Sequence, residues 1–127
     1  MLTVMVVEDE EIIQKMVCAN LRASGYEVLS ALDGDAAIAI LKVTKPDIIL
    51  LDIKMPGLSG WEVLTKMRTY SHLKAIPVII MTASLRESDT ELSAQMGAQS
   101  LLVKPFSIEQ MFEEIECVLG KKGSQHE

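Results

Sequence analysis

The sequence contains few aromatic residues and few cysteines. Trp, Tyr and Phe make up 4% of the 127 residues although 49% are hydrophobic, so the core must be aliphatic, with help from eight Met. Cys18 and Cys117 lie far apart without a metal-ligand spacing, which favours reduced thiols acting as small core residues. Nothing at the N-terminus resembles a signal peptide, so a cytoplasmic protein is predicted.

A long apolar run and an excess of basic residues are also missing. No run approaches the ~18 apolar residues of a membrane span, so no membrane insertion is expected. Acidic residues number 18 against 12 basic ones, for a net charge of −6. This charge argues against direct binding of nucleic acid or anionic membranes, while leaving room for a cation site.

Five short apolar segments alternate with segments of helical periodicity. The predicted strands are Leu2–Val7, Tyr26–Ala31, Asp47–Leu51, Pro77–Ala83 and Ser100–Lys104. Gly25 is expected to end the first helix and Lys45–Pro46 the second, since the residue before a proline disfavours the helical region. Ser59 is expected to begin the third helix, and Ser107 with Gln110 to form a capping box on the last. The pattern predicts one doubly wound α/β domain over residues 1–120, with a five-stranded parallel sheet and helices on both faces. The polar tail, residues 121–127, is predicted to be disordered.

The carboxyl ends of these strands carry the residues with the most chemistry. The first strand ends on Glu8 and Asp9, the third on Asp52, the fourth on Thr82 and the fifth on Lys104. Ligand sites of open parallel sheets gather at this edge. Neighbouring strands lie ~4.8 Å apart, so the carboxylates come within about 5 Å if the third strand lies beside the first. Each like-charge pair then costs roughly 3 kcal/mol at an effective dielectric constant of 20, which a divalent cation would relieve.

Oxygen ligands on one side of a cation suit Mg²⁺ better than Zn²⁺. Together with the Lys104 ammonium and the Thr82 hydroxyl, they form the set of groups that phosphoryl transfer to a carboxylate requires. Each group alone has an ordinary explanation: a strand-end Asp as a cap, the acidic run after the first strand as a favourable first helical turn, and Lys104 as a surface charge. Their convergence on one edge favours a phosphorylation site.

On these residues the sequence resembles the receiver domain of two-component response regulators, including the chemotaxis-regulator type. The likeness covers about Leu2 to Leu119 and rests on "VVEDE", "LLDIKMPGLSG", "IIMTA" and "MGAQSLLVKPF" and on the intervals between them. It implies a flavodoxin-like fold with strand order 2-1-3-4-5. It also implies a switch rather than a metabolic enzyme, with catalysis limited to its own phosphorylation and slow self-dephosphorylation.

The resemblance assigns roles to the residues at the strand ends. Asp52 corresponds to the phosphoacceptor, which takes its phosphoryl group from a histidine kinase or a phosphotransfer protein. Glu8 and Asp9 correspond to the acid pair that holds Mg²⁺ with Asp52, Asp9 directly and Glu8 through water, and the backbone carbonyl of Lys54 to a further ligand. Thr82 corresponds to the switch hydroxyl, Lys104 to the essential lysine.

The resemblance also predicts a cis peptide bond between Lys104 and Pro105. It places Lys54 and Ser84 where they would influence how water reaches the acyl phosphate, and the small Ala83 is expected to leave the phosphoryl group accessible.

Some positions depart from the family's usual residues. Glu8 stands where an aspartate is usual, and we expect the site to work despite the added methylene. Leu101 replaces the usual Tyr or Phe, so output is expected to rely more on backbone and helix shifts. Gln99 and Ser100 replace acidic residues, which weakens the case for a charged dimer face and leaves a monomer or weak dimer as the expectation.

The resemblance places the output surface around Arg86, Glu91 and Leu101, facing an effector protein or a domain outside this chain. Trp61 is expected to be an ordinary packed or half-exposed helix residue.

Three alternatives to a phosphorylatable receiver fit the sequence less well. A pseudo-receiver would act by contact alone, although Asp9, Asp52 and Lys104 are all present. A haloacid-dehalogenase-type phosphatase needs a second Asp where Lys54 stands. A flavodoxin-like cofactor binder needs phosphate-binding amides where the acidic run lies.

Overall fold

Five strands alternate with helices along the chain. The computed structural model describes residues 2–83 and 87–120, and for residues 87–90 it describes the backbone only. The strands are β1 Thr3–Val7, β2 Glu27–Ala31, β3 Ile48–Asp52, β4 Val78–Thr82 and β5 Ser100–Val103. The helices are α1 Glu11–Ala23, α2 Gly34–Leu41, α3 Gly60–Met67, α4 Glu87–Gln95 and α5 Ile108–Leu119, with a short 3₁₀ helix at Ser71–Leu73.

The strands form a single parallel sheet in the order β2-β1-β3-β4-β5, which confirms the predicted fold. The register aligns the carboxyl ends: Val7 pairs with Leu51, Asp52 pairs with Met81, and Thr82 with Val103. β2 is an edge strand and is less completely buried than β1 and β3. Residues that directly follow β1, β3, β4 and β5 therefore meet along one edge of the sheet.

Alternate side chains of the strands feed two separate apolar layers, because successive residues point to opposite faces of a sheet. Met5, Val7 and Leu51 belong to a layer covered by α2 and α3. Val4, Val6 and Leu50 belong to a layer covered by α1 and α5. Both layers are predominantly aliphatic, as the composition predicted. A sheet covered on both faces fixes the direction of each strand end and hence of the residues that follow it.

The ends of several helices follow their local sequence. Ser59 and Ser107 cap α3 and α5 in complete capping boxes, the latter with Gln110 as predicted. Gly25, just beyond the end of α1, has φ of +94°, a conformation that favours glycine. α2 ends at Leu41, earlier than the Lys45–Pro46 stop predicted from the sequence.

The prediction that both cysteines are core residues is right for Cys18 and wrong for Cys117. Cys18 is buried, whereas Cys117 lies on an exposed position of α5, and both thiols are free.

Across residues 2–83 and 87–120, none of the helices combines the length and the apolar character that crossing a bilayer would require. The predicted disordered tail, residues 121–127, lies outside the described residues, as do Ser84 and Arg86.

Candidate functional site

Three polar residues are buried at the carboxyl ends of neighbouring strands. Glu8, directly after β1, is fully buried; Asp52, the last residue of β3, is 4% exposed; and Thr82, the last residue of β4, is 6% exposed. β3 is buried along its whole length, so its final carboxylate is carried into a low-dielectric environment by the strand itself. Buried charges of this kind require partners.

The carboxylates form a compact acidic cluster. Glu8, Asp9 and Asp52 each present a carboxylate oxygen, and these oxygens all lie within 4.8 Å of one another. This agrees with the separation of about 5 Å expected from strand spacing. At that distance each pair of like charges repels by about 3 kcal/mol at an effective dielectric constant of 20.

Lys104 supplies the compensating charge. Its Nζ lies 2.6 Å from Oε1 of Glu8 and 3.2 Å from Oδ2 of Asp52. Lys104 therefore contacts both carboxylates, and its ammonium lies closer to Glu8 than to Asp52. Within the described residues, Oε1 of Glu8 has no hydrogen-bond partner apart from this ammonium. The longer Glu side chain therefore makes Glu8 a principal partner of Lys104.

The backbone holds Lys104 against the fourth strand. The Lys104 amide donates to the Thr82 carbonyl over 2.7 Å. The Lys104–Pro105 bond is cis, as the resemblance predicted. The hydrogen bond places Lys104 beside Thr82, at the edge of the sheet where Asp52 ends its strand.

The electrostatics of the cluster favour protonation of Asp52. Burial and the neighbouring Glu8 charge raise the pKa of the Asp52 carboxyl from 3.8 to about 7, although the Lys104 ammonium acts in the opposite direction. Burial by itself would lower the pKa of Lys104, but its hydrogen bond to Glu8 and the charge of Asp52 outweigh that effect and raise it. The Lys104 ammonium therefore does not offset the combined effect of burial and the Glu8 charge on Asp52.

The donor set fits a hard divalent cation. Glu8, Asp9 and Asp52 offer only oxygen ligands, which Mg²⁺ prefers and which zinc sites rarely use alone. Burial and, after it, the charge of Glu8 raise the pKa of Asp52, and a cation bound among these carboxylates would favour its ionised form. The predicted fourth ligand, the Lys54 carbonyl, lies two residues beyond Asp52 in the following loop.

The other residues that the sequence analysis named differ in their exposure. Ala83 is exposed directly after β4, and Lys54 is exposed in the loop after β3. Leu101 is half-buried and packs against the apolar layer on the α2 and α3 side, while Glu91 is exposed on α4. Trp61 is half-buried on α3, in line with the sequence interpretation.

Sequence reasoning missed Gln14, which the structure places beside the site. Its side-chain amide lies between the carbonyls of Glu8 and Ala31, where β1 and β2 end. A signal was present: Gln14 occupies the same helical stripe as the buried Val17, Cys18 and Leu21. A polar residue on such a stripe indicates a polar partner in the interior.

Gly60 was also missed. It begins α3, and its amide donates to the Ile53 carbonyl over 2.8 Å. A Cβ atom at this position would lie 2.3 Å from the Asp52 carbonyl oxygen and 2.8 Å from the Ile53 Cα. Only glycine allows α3 to pack this closely against the backbone that carries Asp52.

Comparison with protein families and curated proteins gives a consistent result. The family described as the response regulator receiver domain matches residues 4–116. The probable transcriptional regulatory protein TcrX of Mycobacterium tuberculosis is 36% identical over 121 residues, 95% of this chain and 51% of that protein. The chain thus spans about half the length of that relative. The polar-differentiation response regulator DivK of Brucella anthropi is 36% identical over 118 residues, 93% of this chain and 96% of that protein.

Solved structures show the same likeness. Chemotaxis protein CheY4 of Vibrio cholerae superimposes with a TM-score of 0.90 at 32% identity, covering 93% of this chain and 98% of that one. The receiver domain of the sensor histidine kinase PA1611 of Pseudomonas aeruginosa superimposes with a TM-score of 0.85 at 28% identity, covering 94% and 98%. That structure has a magnesium ion coordinated in its active-site cleft.

Proposed function

The chain belongs to the response regulator receiver domain family, and from this membership we propose that Asp52 is the phosphoacceptor of a Mg²⁺-dependent switch. The observation that supports this proposal most strongly is the acidic cluster of Glu8, Asp9 and Asp52, with Lys104 beside it. As a receiver domain, the chain acts as a switch and not as a metabolic enzyme. Its proposed partner is a histidine kinase or phosphotransfer protein, in the cytoplasm.

The proposed reaction uses Asp52 as nucleophile. A carboxylate oxygen of Asp52 forms a bond to phosphorus while the phosphorus–nitrogen bond of the donor's phosphohistidine breaks. The imidazole nitrogen leaves with the electron pair of the broken bond and takes up a proton from water. Only the ionised carboxylate can attack, so the burial and the Glu8 charge that raise the pKa of Asp52 oppose the reaction. Neutralising the cluster increases the reactive fraction.

Asp9, Asp52, Glu8 and the Lys54 carbonyl would hold the cation. Mg²⁺ bound there supplies positive charge that offsets the negative charge of the cluster and of the phosphoryl oxygens. Lys104 is the chain's own cation at this edge and stays within reach of Asp52. We assign to it the neutralisation of a phosphoryl oxygen, and to the Thr82 hydroxyl a hydrogen bond to another.

The test of this assignment is phosphorylation by a small donor. Incubation of the chain with phosphoramidate and Mg²⁺ is expected to add the mass of one phosphoryl group. Removal of the metal with a chelator, or the substitution Asp52→Asn, is expected to abolish the addition. Labelling of the Asp52→Asn variant to the level of the parent would refute the assignment and leave the pseudo-receiver interpretation.

The protein donor is proposed to approach over an apolar groove beside the site. The groove, about 390 Å³, includes Ile13 and Met16 of α1 and Pro105 and Phe106 after β5, and Lys104 lines it. Ile12, one residue before Ile13 on α1, is 85% exposed. Because Lys104 also contacts Asp52, a partner seated here can bring its phosphohistidine to the reaction centre. Exposed apolar surface of this kind is typical of interaction sites.

Two equally exposed apolar residues allow a matched test of this approach. Ile12 is 85% exposed beside the groove, and Val43 is 83% exposed beyond the end of α2. Any histidine kinase from a panel that phosphorylates the parent serves as donor. Ile12→Lys is expected to slow transfer from that kinase by about tenfold while leaving phosphoramidate labelling unchanged. Val43→Lys is expected to leave both rates unchanged; equal effects of the two substitutions would contradict this docking face.

The output of the switch is proposed to involve α4, β5 and α5, acting on an effector protein or on a domain outside this chain. Support comes from the exposed Glu91 on α4 and from Leu101, which is half-buried at the edge strand. Leu101 has no aromatic ring that could rotate inward, and its side chain already packs against the apolar layer. The proposed signal is a shift of backbone and helix position.

A further inference from the structure

We propose that Gln14 is a positioning residue for Asp9 and thereby sets the cation affinity of the site. Gln14 lies in the first turns of α1 and is half-buried. It does not belong to the acidic cluster. The inference rests on the proposed function, because it takes Asp9 as a ligand of Mg²⁺.

The side-chain amide of Gln14 adds two hydrogen bonds at the point where β1 and β2 end. Its Nε2 donates to the Ala31 carbonyl over 2.8 Å and to the Glu8 carbonyl over 3.2 Å. Both partners are carbonyl oxygens, so the amide nitrogen with its two N–H groups must face them. The Glu8 amide also donates to the Ala31 carbonyl, over 3.1 Å. Gln14 therefore ties the residue after β1 to the end of the neighbouring strand.

These bonds fix the peptide groups on either side of Asp9. The Glu8 carbonyl, which precedes Asp9, accepts from Gln14. The Glu10 amide, which follows Asp9, donates to Oε2 of Glu8 over 3.0 Å. Within the described part of the chain, the Asp9 carboxylate itself has no hydrogen bond or ion pair. The direction of the Asp9 side chain is thus set by its backbone. Two hydrogen bonds hold that backbone, and Gln14 donates one of them.

A cation ligand held only through its backbone depends on that backbone for its affinity. Loss of the Gln14 donors would allow the Glu8–Asp9 peptide group to rotate, and the Asp9 oxygen would then leave the cluster more often. The surrounding helix does not require the amide, because α1 is anchored by the buried Val17, Cys18 and Leu21. The expected effect is therefore on cation binding more than on folding.

The direct test is calorimetric titration of the whole chain with Mg²⁺. Gln14→Ala is expected to weaken Mg²⁺ binding by about tenfold. Asn20→Ala is the matched control, since Asn20 also uses a side-chain amide to reach a carbonyl, that of Met16, on the same helix but away from the site. Its affinity is expected to stay within about twofold of the parent.

A kinetic readout separates positioning from general damage. With phosphoramidate as donor, Gln14→Ala is expected to raise the half-saturating Mg²⁺ concentration about tenfold while the rate at saturating Mg²⁺ stays near that of the parent. Gln14→Met keeps the length of the side chain and removes the donors, so it gives the same test if the alanine variant folds poorly. Folded variants that bind Mg²⁺ as tightly as the parent would overturn the role of Gln14. A parent chain that binds no Mg²⁺ would instead overturn the proposed function, and this inference with it.

Discussion

The substitution Asp52→Asn is expected to stabilise the fold at high pH while removing phosphorylation. Asn has the shape of Asp without its charge, and its amide oxygen can still face Lys104. In the parent, burial and the Glu8 charge disfavour the ionised form of Asp52 strongly enough to raise its pKa from 3.8 to about 7. The neutral amide avoids that penalty.

The magnitude follows from linkage between protonation and folding. Between pH 3.8 and pH 7 the folded chain holds a proton on Asp52 that the unfolded chain has released, so the stability of the parent falls as the pH rises through this window. Each pH unit corresponds to about 1.4 kcal/mol. In the absence of metal, Asp52→Asn is thus expected to be more stable than the parent by about 4 kcal/mol at pH 8 and by about 2 kcal/mol at pH 5.

The assay is urea denaturation of parent and variant at both pH values with a metal chelator present. Glu113→Gln is the matched control, because it removes a carboxylate charge from an exposed position of α5. Its effect is expected to stay below about 0.5 kcal/mol at either pH. A difference between Asp52→Asn and the parent that does not grow from pH 5 to pH 8, or a variant less stable than the parent at pH 8, would refute the electrostatic account.

Two further substitutions test the scaffold of the site. Gly60→Ala is expected to lose more than about 3 kcal/mol of unfolding free energy in urea, because its Cβ would lie 2.3 Å from the Asp52 carbonyl oxygen. Gly57→Ala, at φ of +76° with open space around it, should lose only about 1 kcal/mol, and equal losses would contradict the packing argument. Arg68→Met is expected to lose about 2 kcal/mol, because the Arg68 guanidinium donates to the carbonyls of Leu73, Lys74, Ile76 and Gly97. Lys66→Met, at an exposed position of α3, is its control. A similar loss of stability in that variant would contradict a stabilising role of the Arg68 hydrogen bonds.

The strands could be predicted from the sequence because each is a short apolar run closed by polar residues. All five differ from the predicted bounds by no more than one residue at either end, and β5 begins where predicted. A sheet buried on both faces leaves little freedom in where such runs begin and end.

The end of α2 was less predictable than the ends of the strands. There the Thr44 hydroxyl donates to the Ile40 carbonyl over 2.7 Å and the Val43 amide donates to the same oxygen, so the chain turns before Pro46.

The cluster of acidic residues could be predicted because strand ends of a parallel sheet lie side by side. Which carboxylate forms the shorter ion pair with Lys104 could not be predicted. Whether Lys104 approaches Glu8 or Asp52 more closely depends on one methylene of Glu8 and on the packing around it, which no pattern in the sequence encodes. Gln14 was missed for a related reason, since its partners are the carbonyl directly after β1 and the last carbonyl of β2.

The central claim, that Asp52 is the reaction centre, is tested most directly by locating the phosphoryl group. The chain is phosphorylated with phosphoramidate and Mg²⁺ and reduced with borohydride, which converts an aspartyl phosphate to homoserine, and the peptides are then sequenced by mass spectrometry. The account predicts homoserine at position 52 and at no other acidic residue. Conversion at Asp9 with Asp52 intact, or phosphate retained on Thr82, would contradict it.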